Sequence, residues 1–177
     1  MTFTQHYDSP LGGILLAADE VGLTGLWFDG EKYFADHLPK EHIEQDSPVL
    51  SQTKRWLELY FSGSEPDWLP PLHPVGSPFR QAVWNILLQI PYGQTITYGD
   101  IARQLASQQG LTRMSAQAVG GAVGHNEISI IIPCHRVVGA DGSLTGYAGG
   151  IDKKYKLLEL ERADMNQFYI PKKGTAL

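Results

Sequence analysis

Thr97-Tyr98-Gly99-Asp100-Ile101-Ala102-Arg103-Gln104-Leu105, followed after a polar gap by Ser115-Ala116-Gln117-Ala118-Val119-Gly120-Gly121-Ala122-Val123, is the stretch on which the fold turns. Thr97 with Asp100 three residues later reads as a capping box, the hydroxyl holding the backbone N–H near Asp100, and Ile101, Ala102 and Leu105 follow at helical spacing. Ser115 caps a second helix that has almost no bulky side chain, so one of its faces can approach another backbone closely. Two short helices about ten residues apart, the second offering Gln117 outward, are compatible with helix-turn-helix geometry. Two core helices packed through alanines fit the same residues, and the pattern alone leaves both open.

On the N-terminal side of this stretch, Phe79, Val83, Trp84, Leu87 and Ile90 repeat at helical spacing and stop at the turn signal Pro91-Tyr92-Gly93. On its C-terminal side, residues 128–132 form a short apolar run ending at Pro133, and Gly139-Ala140-Asp141-Gly142 predicts a hairpin that would make a wing. Asp152 is then expected to cap a last helix running through Leu157, Leu158 and Glu161. The N-terminal part opens with β-favouring runs at 3–7, 13–18 and 23–28, read as an antiparallel meander. Ser47 with Pro48 starts a helix in which Val49, Leu50, Thr53, Trp56, Leu57, Tyr60 and Phe61 keep a 3.6 period until Gly63, giving an apolar face to cover the sheet. Between Gly63 and Phe79 lie five of the 11 prolines with no usable hydrophobic period, which resists helix and sheet interiors. The reading is therefore α+β: an α/β domain over 1–63, a Pro-rich linker over 64–78, a mostly helical domain over 79–165 and a tail over 166–177.

Composition narrows the chemistry. The chain of 177 residues has one cysteine, Cys134, so an intrachain disulfide, a Cys-rich zinc finger and a dithiol redox centre are excluded. The six histidines include no H-E-x-x-H pair, and neither a metal nor a cofactor is expected. The polar N-terminus and the lack of any apolar run near the roughly 18 residues of a membrane span predict a soluble, cytoplasmic protein with no membrane partner. The net charge of -5 divides into -8 over residues 1–78, +2 over 79–162 and +1 over the remainder. The acidity belongs to the N-terminal part, and the second domain is slightly basic, which permits a phosphate-bearing partner.

Ile132-Pro133-Cys134-His135-Arg136-Val137 sets a thiol beside an imidazole and a guanidinium. Thiolate is the reactive form, and a neighbouring cation pulls a thiol pKa from ~8.5 into the range ~3.5–7.5. A nucleophile is one reading and a small buried hydrophobe is the other. Adjacent residues of an extended chain point to opposite sides, so Cys134 and His135 need a bent backbone or a bridging water to communicate.

The run 131–139, followed by Gly146-Tyr147-Ala148-Gly149-Gly150, closely resembles the O6-alkylguanine-DNA alkyltransferases, the suicide DNA-repair proteins. The likeness extends over roughly 79–161 and includes Pro91-Tyr92-Gly93, Thr97-Tyr98-Gly99, Ala118-Val119-Gly120-Gly121-Ala122 and Asn126. It implies a ribonuclease-H-like N-terminal α/β domain, a winged helix-turn-helix after it, and a monomer acting on double-stranded DNA that contains O6-alkylguanine. It also implies the roles. Cys134 attacks the alkyl carbon of a flipped base, His135 is the base linked through water, Glu161 orients the imidazole, Tyr98 donates to the purine, and Asn126 forms a hinge. The carbonyls of Cys134 and Val137 receive the guanine amino group, and Tyr147, Ala148 and Gly149 line the alkyl pocket. Thr97, Arg113, Ser115, Ala116, Gln117 and Arg136 face the DNA. The range of adducts, O4-alkylthymine among them, stays open.

Two features depart from the family. Gln117 stands where the family usually carries an arginine that fills the gap left by the extruded base, and residues 105–112 read as a longer loop than the commonest version. Glutamine brings no charge and less volume, so modest DNA affinity is expected, with Arg113 able to share the role only if the helix starts before Ser115. A winged-helix regulator without chemistry is the main rival, and the presence of Cys134 argues against it. A cysteine hydrolase would need an oxyanion-donor loop that nothing in the sequence compels, and the regulator that couples repair to transcription needs a Cys-rich metal domain. Lowering a thiol pKa from ~8.5 to ~6 raises the thiolate fraction at pH 7.4 about 13-fold, while a Brønsted slope of ~0.45 weakens each thiolate by about the same factor. Rate must then come chiefly from alignment and from hydrogen bonds to the departing guanine.

Overall fold

The computed structural model describes residues 1–171, and the part of the expected tail beyond Pro171 lies outside them. The chain divides into two compact units, Met1–Val75 together with Glu127–Ile131, and Gly76–Asn126 together with the chain from Ile132 onward.

In the first unit, β1 (Phe3–Ser9), β2 (Gly12–Ala18) and β3 (Leu23–Phe28) form the antiparallel meander, and a short β4 (Ile43–Glu44) lies parallel to β1, giving the order β3-β2-β1-β4. The apolar run of β2 reflects burial on both faces, because successive strand residues point oppositely. Leu15 and Ala17 pack with Trp27 beneath Ala35 and Leu38, while Ile14 and Leu16 are fully buried on the other side. There α1 (Pro48–Phe61) covers the sheet, with Ser47 accepting from the Leu50 N–H, Pro48 in the first turn, and Leu50, Thr53, Trp56, Leu57 and Tyr60 turned inward.

The Pro-rich stretch differs from a free linker. Leu23 donates to Pro71 O (2.8 Å), His73 donates back to Leu23 O (2.7 Å), and His73 Nδ1 meets Asp19 Oδ2 at 2.7 Å. Prolines cannot complete a sheet interior, but a single bridge to an edge strand asks only for a carbonyl from Pro71 and one N–H from His73. A second visitor to the β3 edge comes from far along the chain: Leu26 donates to Glu127 O (2.8 Å) and Ser129 donates to Leu26 O (3.1 Å). Within that visiting segment Ile130 has φ +70° and Ile131 N donates to Ser129 O at 2.8 Å. A β-branched residue in this left-handed region costs roughly 1–3 kcal/mol and persists only where its surroundings over-determine it.

The second unit is mostly helical: α2 (Pro78–Leu87), α3 (Tyr98–Gln108), α4 (Ala116–Gly124) and α5 (Ile151–Leu160), with β5 (Ile96–Thr97) parallel to β6 (Val137–Val138). Both halves of the Thr97–Asp100 capping box are formed, and Ser115 accepts from the Ala118 N–H at 3.2 Å. Residues 105–108 continue α3, so the connection before Ser115 is shorter than the sequence suggested. α3 and α4 pack on each other and on α2, where the Trp84 indole donates to Ala122 O at 3.0 Å. Two local expectations change. α5 starts after Gly150, so Asp152 sits inside the first turn and caps nothing; Gly150 reaches the required backbone with φ +100°. The Gly139-Ala140-Asp141-Gly142 turn closes through Gly139 N→Ser143 O, but the chain after it bridges Tyr169 in parallel instead of returning along β6, so the wing is a loop. That bridge and Leu144 N→Tyr169 O tie the described start of the tail onto the unit.

Candidate active site

Pro133 (φ -82°, ψ 67°) bends the chain so that the Cys134 N–H turns back onto Ile132 O (2.8 Å), and Cys134–Arg136 forms one 3-10 turn. The same Ile132 carbonyl accepts from Asn126 Nδ2 at 2.7 Å, joining the end of α4 to the reactive turn. Cys134 is 3% exposed and His135 fully buried. Successive residues of a 3-10 turn project about 120° apart, so thiol and imidazole share a turn without facing each other directly.

Glu161, at the end of α5, is the hub. His135 Nε2 lies 2.6 Å from Oε2, Arg136 donates Nε to Oε1 (2.8 Å) and Nη2 to Oε2 (3.1 Å), and the Gly93 N–H reaches Oε1 at 3.1 Å. Four donors meet a carboxylate with about four lone-pair sites. Burial pushes the Glu161 carboxyl up, yet the His135 and Arg136 contacts outweigh it and hold the group well below the ordinary range. Burial lowers the His135 pKa, with Arg136 and Lys154 adding to the fall and Glu161 opposing it. The imidazole is therefore neutral, Nε2 carries the proton that Glu161 accepts, and Nδ1 is left as a lone pair. Nδ1 meets no hydrogen-bonding group among the described residues. Pro91-Tyr92-Gly93 acquires a reason here: Gly93 has φ +76°, and a Cβ on it would stand 2.8 Å from Glu161 O.

Lys154 is the residue that sequence reasoning missed. Nothing in the sequence reading singled it out, although it shares the stripe Ile151, Leu157, Leu158 and Glu161, and that spacing was the available signal. Fully buried, it donates to Val137 O (2.5 Å) and Thr145 O (2.9 Å), with Nζ 5.9 Å from the Tyr98 ring centroid. Burial lowers its pKa to about 8 against the pull of Cys134. Tyr98 directs its hydroxyl at the carbonyls of Thr145 (3.1 Å) and Gly146 (3.2 Å). Burial, and after it the charge of Cys134, pushes this phenol well above its ordinary range.

Other expected site residues fall as follows. Val137 and Tyr147 are buried, the Tyr147 ring stands edge-on to His135 at 6.4 Å, and Ala148 and Gly149 are half-buried. The Cys134 carbonyl accepts from the Val137 N–H, and the Val137 carbonyl from Lys154 Nζ. Ser115, Ala116 and Gln117 are exposed at the start of α4, and Thr97 is partly buried at the start of α3. Arg113 is exposed but precedes the Ser115 cap, so it is not one helical turn behind Gln117. Arg136 is a correction: instead of facing DNA it turns inward, its side chain 11% exposed, spent on Glu161 and on Ile90 O at 2.7 Å.

Residues 3–72 match the 6-O-methylguanine DNA methyltransferase ribonuclease-like domain, and residues 78–163 match the DNA binding domain of the same name. A methylated-DNA–protein-cysteine methyltransferase of Methanosarcina acetivorans is 44% identical over 156 residues, 88% of this chain and 95% of that protein. One from Haemophilus influenzae is 40% identical over 158 residues, 89% and 84% of the two chains. The crystal structure of Mycobacterium tuberculosis OGT in complex with DNA superposes with a TM-score of 0.76 at 40% identity, covering 94% of each chain. With both halves matched in order and the thiol, imidazole and carboxylate set on one turn and one helix end, the chain belongs to the 6-O-methylguanine DNA methyltransferase family.

Proposed function

We propose that this protein repairs double-stranded DNA by direct reversal, moving the alkyl group of a flipped O6-alkylguanine onto its own Cys134, once per molecule. The observation that carries this reading is the buried Cys134–His135 turn whose imidazole is oriented by Glu161, in a chain of this family.

The thiol proton passes to His135 Nδ1 through a bridging water, which the divergence within the 3-10 turn calls for. The thiolate then forms an S–C bond as the C–O6 bond breaks in line, and the electron pair left on guanine takes up the proton that the thiol released. Tyr98, held above its ordinary range, keeps its own proton and serves the developing purine charge as a hydrogen-bond donor. To do so its hydroxyl gives up the carbonyls of Thr145 and Gly146. Lys154 holds Val137 O and Thr145 O in place and sets a positive charge near the thiolate. Cys134 O and Val137 O take the guanine amino group, Tyr147, Ala148 and Gly149 line the alkyl pocket, and Asn126 ties the α4 end to the reactive turn. Thr97, Arg113, Ser115, Ala116 and Gln117 form the DNA face, and the protein works as a monomer in the cytoplasm, where one unpaired thiol stays reduced. No helix among the described residues is long and apolar enough to cross a membrane.

The test mixes the protein with a duplex carrying one O6-methylguanine and reads intact mass, then maps the modified peptide. One methyl on Cys134, saturating at one per molecule and absent in Cys134→Ser, is the expected result. Turnover beyond one equivalent, or an unmodified Cys134, overturns the mechanism.

A further inference from the structure

The second unit leaves itself once, at Asn126, passes through the first unit over Glu127–Ile131 and returns at Ile132, two residues before Cys134. Asn126 Nδ2 on Ile132 O closes the base of this excursion. Its first residue, Glu127, is fastened to the first unit: it is 3% exposed and accepts from Trp27 Nε1 on Oε2 at 2.7 Å, while Oε1 meets His37 Nδ1 at 2.7 Å. Gly25 makes room for the arrangement, since a Cβ there would lie 2.0 Å from the Trp27 ring. A carboxylate that served only solubility would stand in water; this one is buried, and each of its oxygens has a partner in the N-terminal sheet unit.

Glu127 is held at both ends, by its side chain on Trp27 and His37 and by its carbonyl on Leu26 N. Three residues on, the chain makes the strained Ile130 turn, φ +70°, and re-enters the second unit at Ile132, two residues before Cys134. A turn of this kind relaxes unless something outside it holds it. Resting on the alkyl-transfer reading above, we propose that Glu127, gripped by Trp27 and His37, is a positioning residue that fixes the direction from which Cys134 meets the alkyl carbon.

The experiment uses the full chain with Trp27→Phe, Glu127→Gln and Glu127→Ala. Three quantities are read: the single-turnover transfer rate constant at saturating O6-methylguanine duplex, the duplex Kd, and the rate at which Cys134, the chain's one cysteine, reacts with a small aromatic disulfide. Trp27→Phe keeps an aromatic ring but loses the N–H together with part of the indole's bulk in a buried position, so Glu127→Gln, which leaves the volume nearly unchanged, is read beside it. Trp27→Phe and Glu127→Ala are expected to slow transfer about tenfold, roughly 1.4 kcal/mol at the barrier, with Kd moved by less than about twofold. The same variants label Cys134 faster, because a released turn exposes the thiol. Glu127→Gln, which keeps an acceptor for the indole, loses less. A merely structural role lowers the amplitude of the reaction, not its rate constant, and that outcome overturns the proposal, as do unchanged transfer and labelling rates. If the wild type transfers no alkyl group, the repair reading fails, whereas the labelling comparison still decides the grip: equal labelling in wild type and variants refutes it.

Discussion

Glu161→Gln is nearly isosteric, and its consequences follow from counting donors. The carboxylate accepts from His135 Nε2, twice from Arg136 and once from Gly93. A glutamine amide has one oxygen and two N–H groups. With the oxygen kept toward Gly93 and Arg136 Nε, its nitrogen faces His135 Nε2 and Arg136 Nη2. Histidine can answer by moving its proton to Nδ1, but the guanidinium cannot, and it is left inside without its counter-charge. Breaking a buried pair by removing one partner costs about 3–5 kcal/mol, a large part of a typical total of roughly 5–15 kcal/mol. Urea unfolding of Glu161→Gln, Arg136→Met and the double variant separates the terms. The double variant should be less destabilised than the two singles together, by a coupling of about 2–3 kcal/mol. The proton shift also removes the lone pair that takes the thiol proton, so transfer slows at neutral pH and recovers as pH rises toward the ordinary thiol range near ~8.5. A loss below about 1 kcal/mol with additive singles, or an unchanged rate at neutral pH, refutes Glu161 as the hub.

Other expectations are as direct. Because both His135 and Glu161 have lowered pKa values in the folded protein, the unfolded chain binds more protons below about pH 6.5 and again below about 4.5. Stability therefore falls with acid across those windows, and urea midpoints that stay flat from pH 7 to 4 contradict this. Lys154 extends the same trend to alkaline pH: folded at about 8 against 10.5 unfolded, it makes stability rise with pH between those values, and Lys154→Met should lose that rise in a matched titration. Tyr98→Phe should slow transfer at saturating substrate by about 10–100-fold, and a wild-type rate returns the weight to His135. Arg113→Ala should weaken duplex binding more than Gln117→Ala and lower the salt slope by about one; equal, negligible effects in filter binding remove Arg113 from the DNA face.

What could be read from the sequence was what local physics decides. The Ser47, Thr97 and Ser115 caps each act over three residues, and the β1–β3 meander shows in short apolar runs cut by Ser-Pro and glycine. The Cys134–His135–Glu161 set was reachable because the Pro-Cys-His-Arg run resembles a family. Residues whose setting is made by distant chain were not legible. Lys154 sits between other lysines and is buried only because the Val137 and Thr145 carbonyls need a donor. Arg136 looks like a surface cation until Glu161, 25 residues on, claims it. Glu127 meets Trp27 across 100 residues, and no window of sequence contains both. Asp152 misled for the opposite reason, since a helix-capping type stood near a helix start that Gly150 occupies.

The visit of Glu127–Ile131 to β3 also sets a clock during synthesis. Every other part of the first unit has been made by Val75, but its last segment arrives about 55 residues later, roughly 3–11 s at 5–20 residues per second. Through that interval the β3 edge offers Leu26 N–H and O to any passing strand, the exposure that edge strands usually avoid, and Trp27 has no carboxylate to receive its indole N–H. The nascent chain is therefore most open to mispairing after its first domain looks finished, and the stretch that ends this hazard is the one that leads into Cys134.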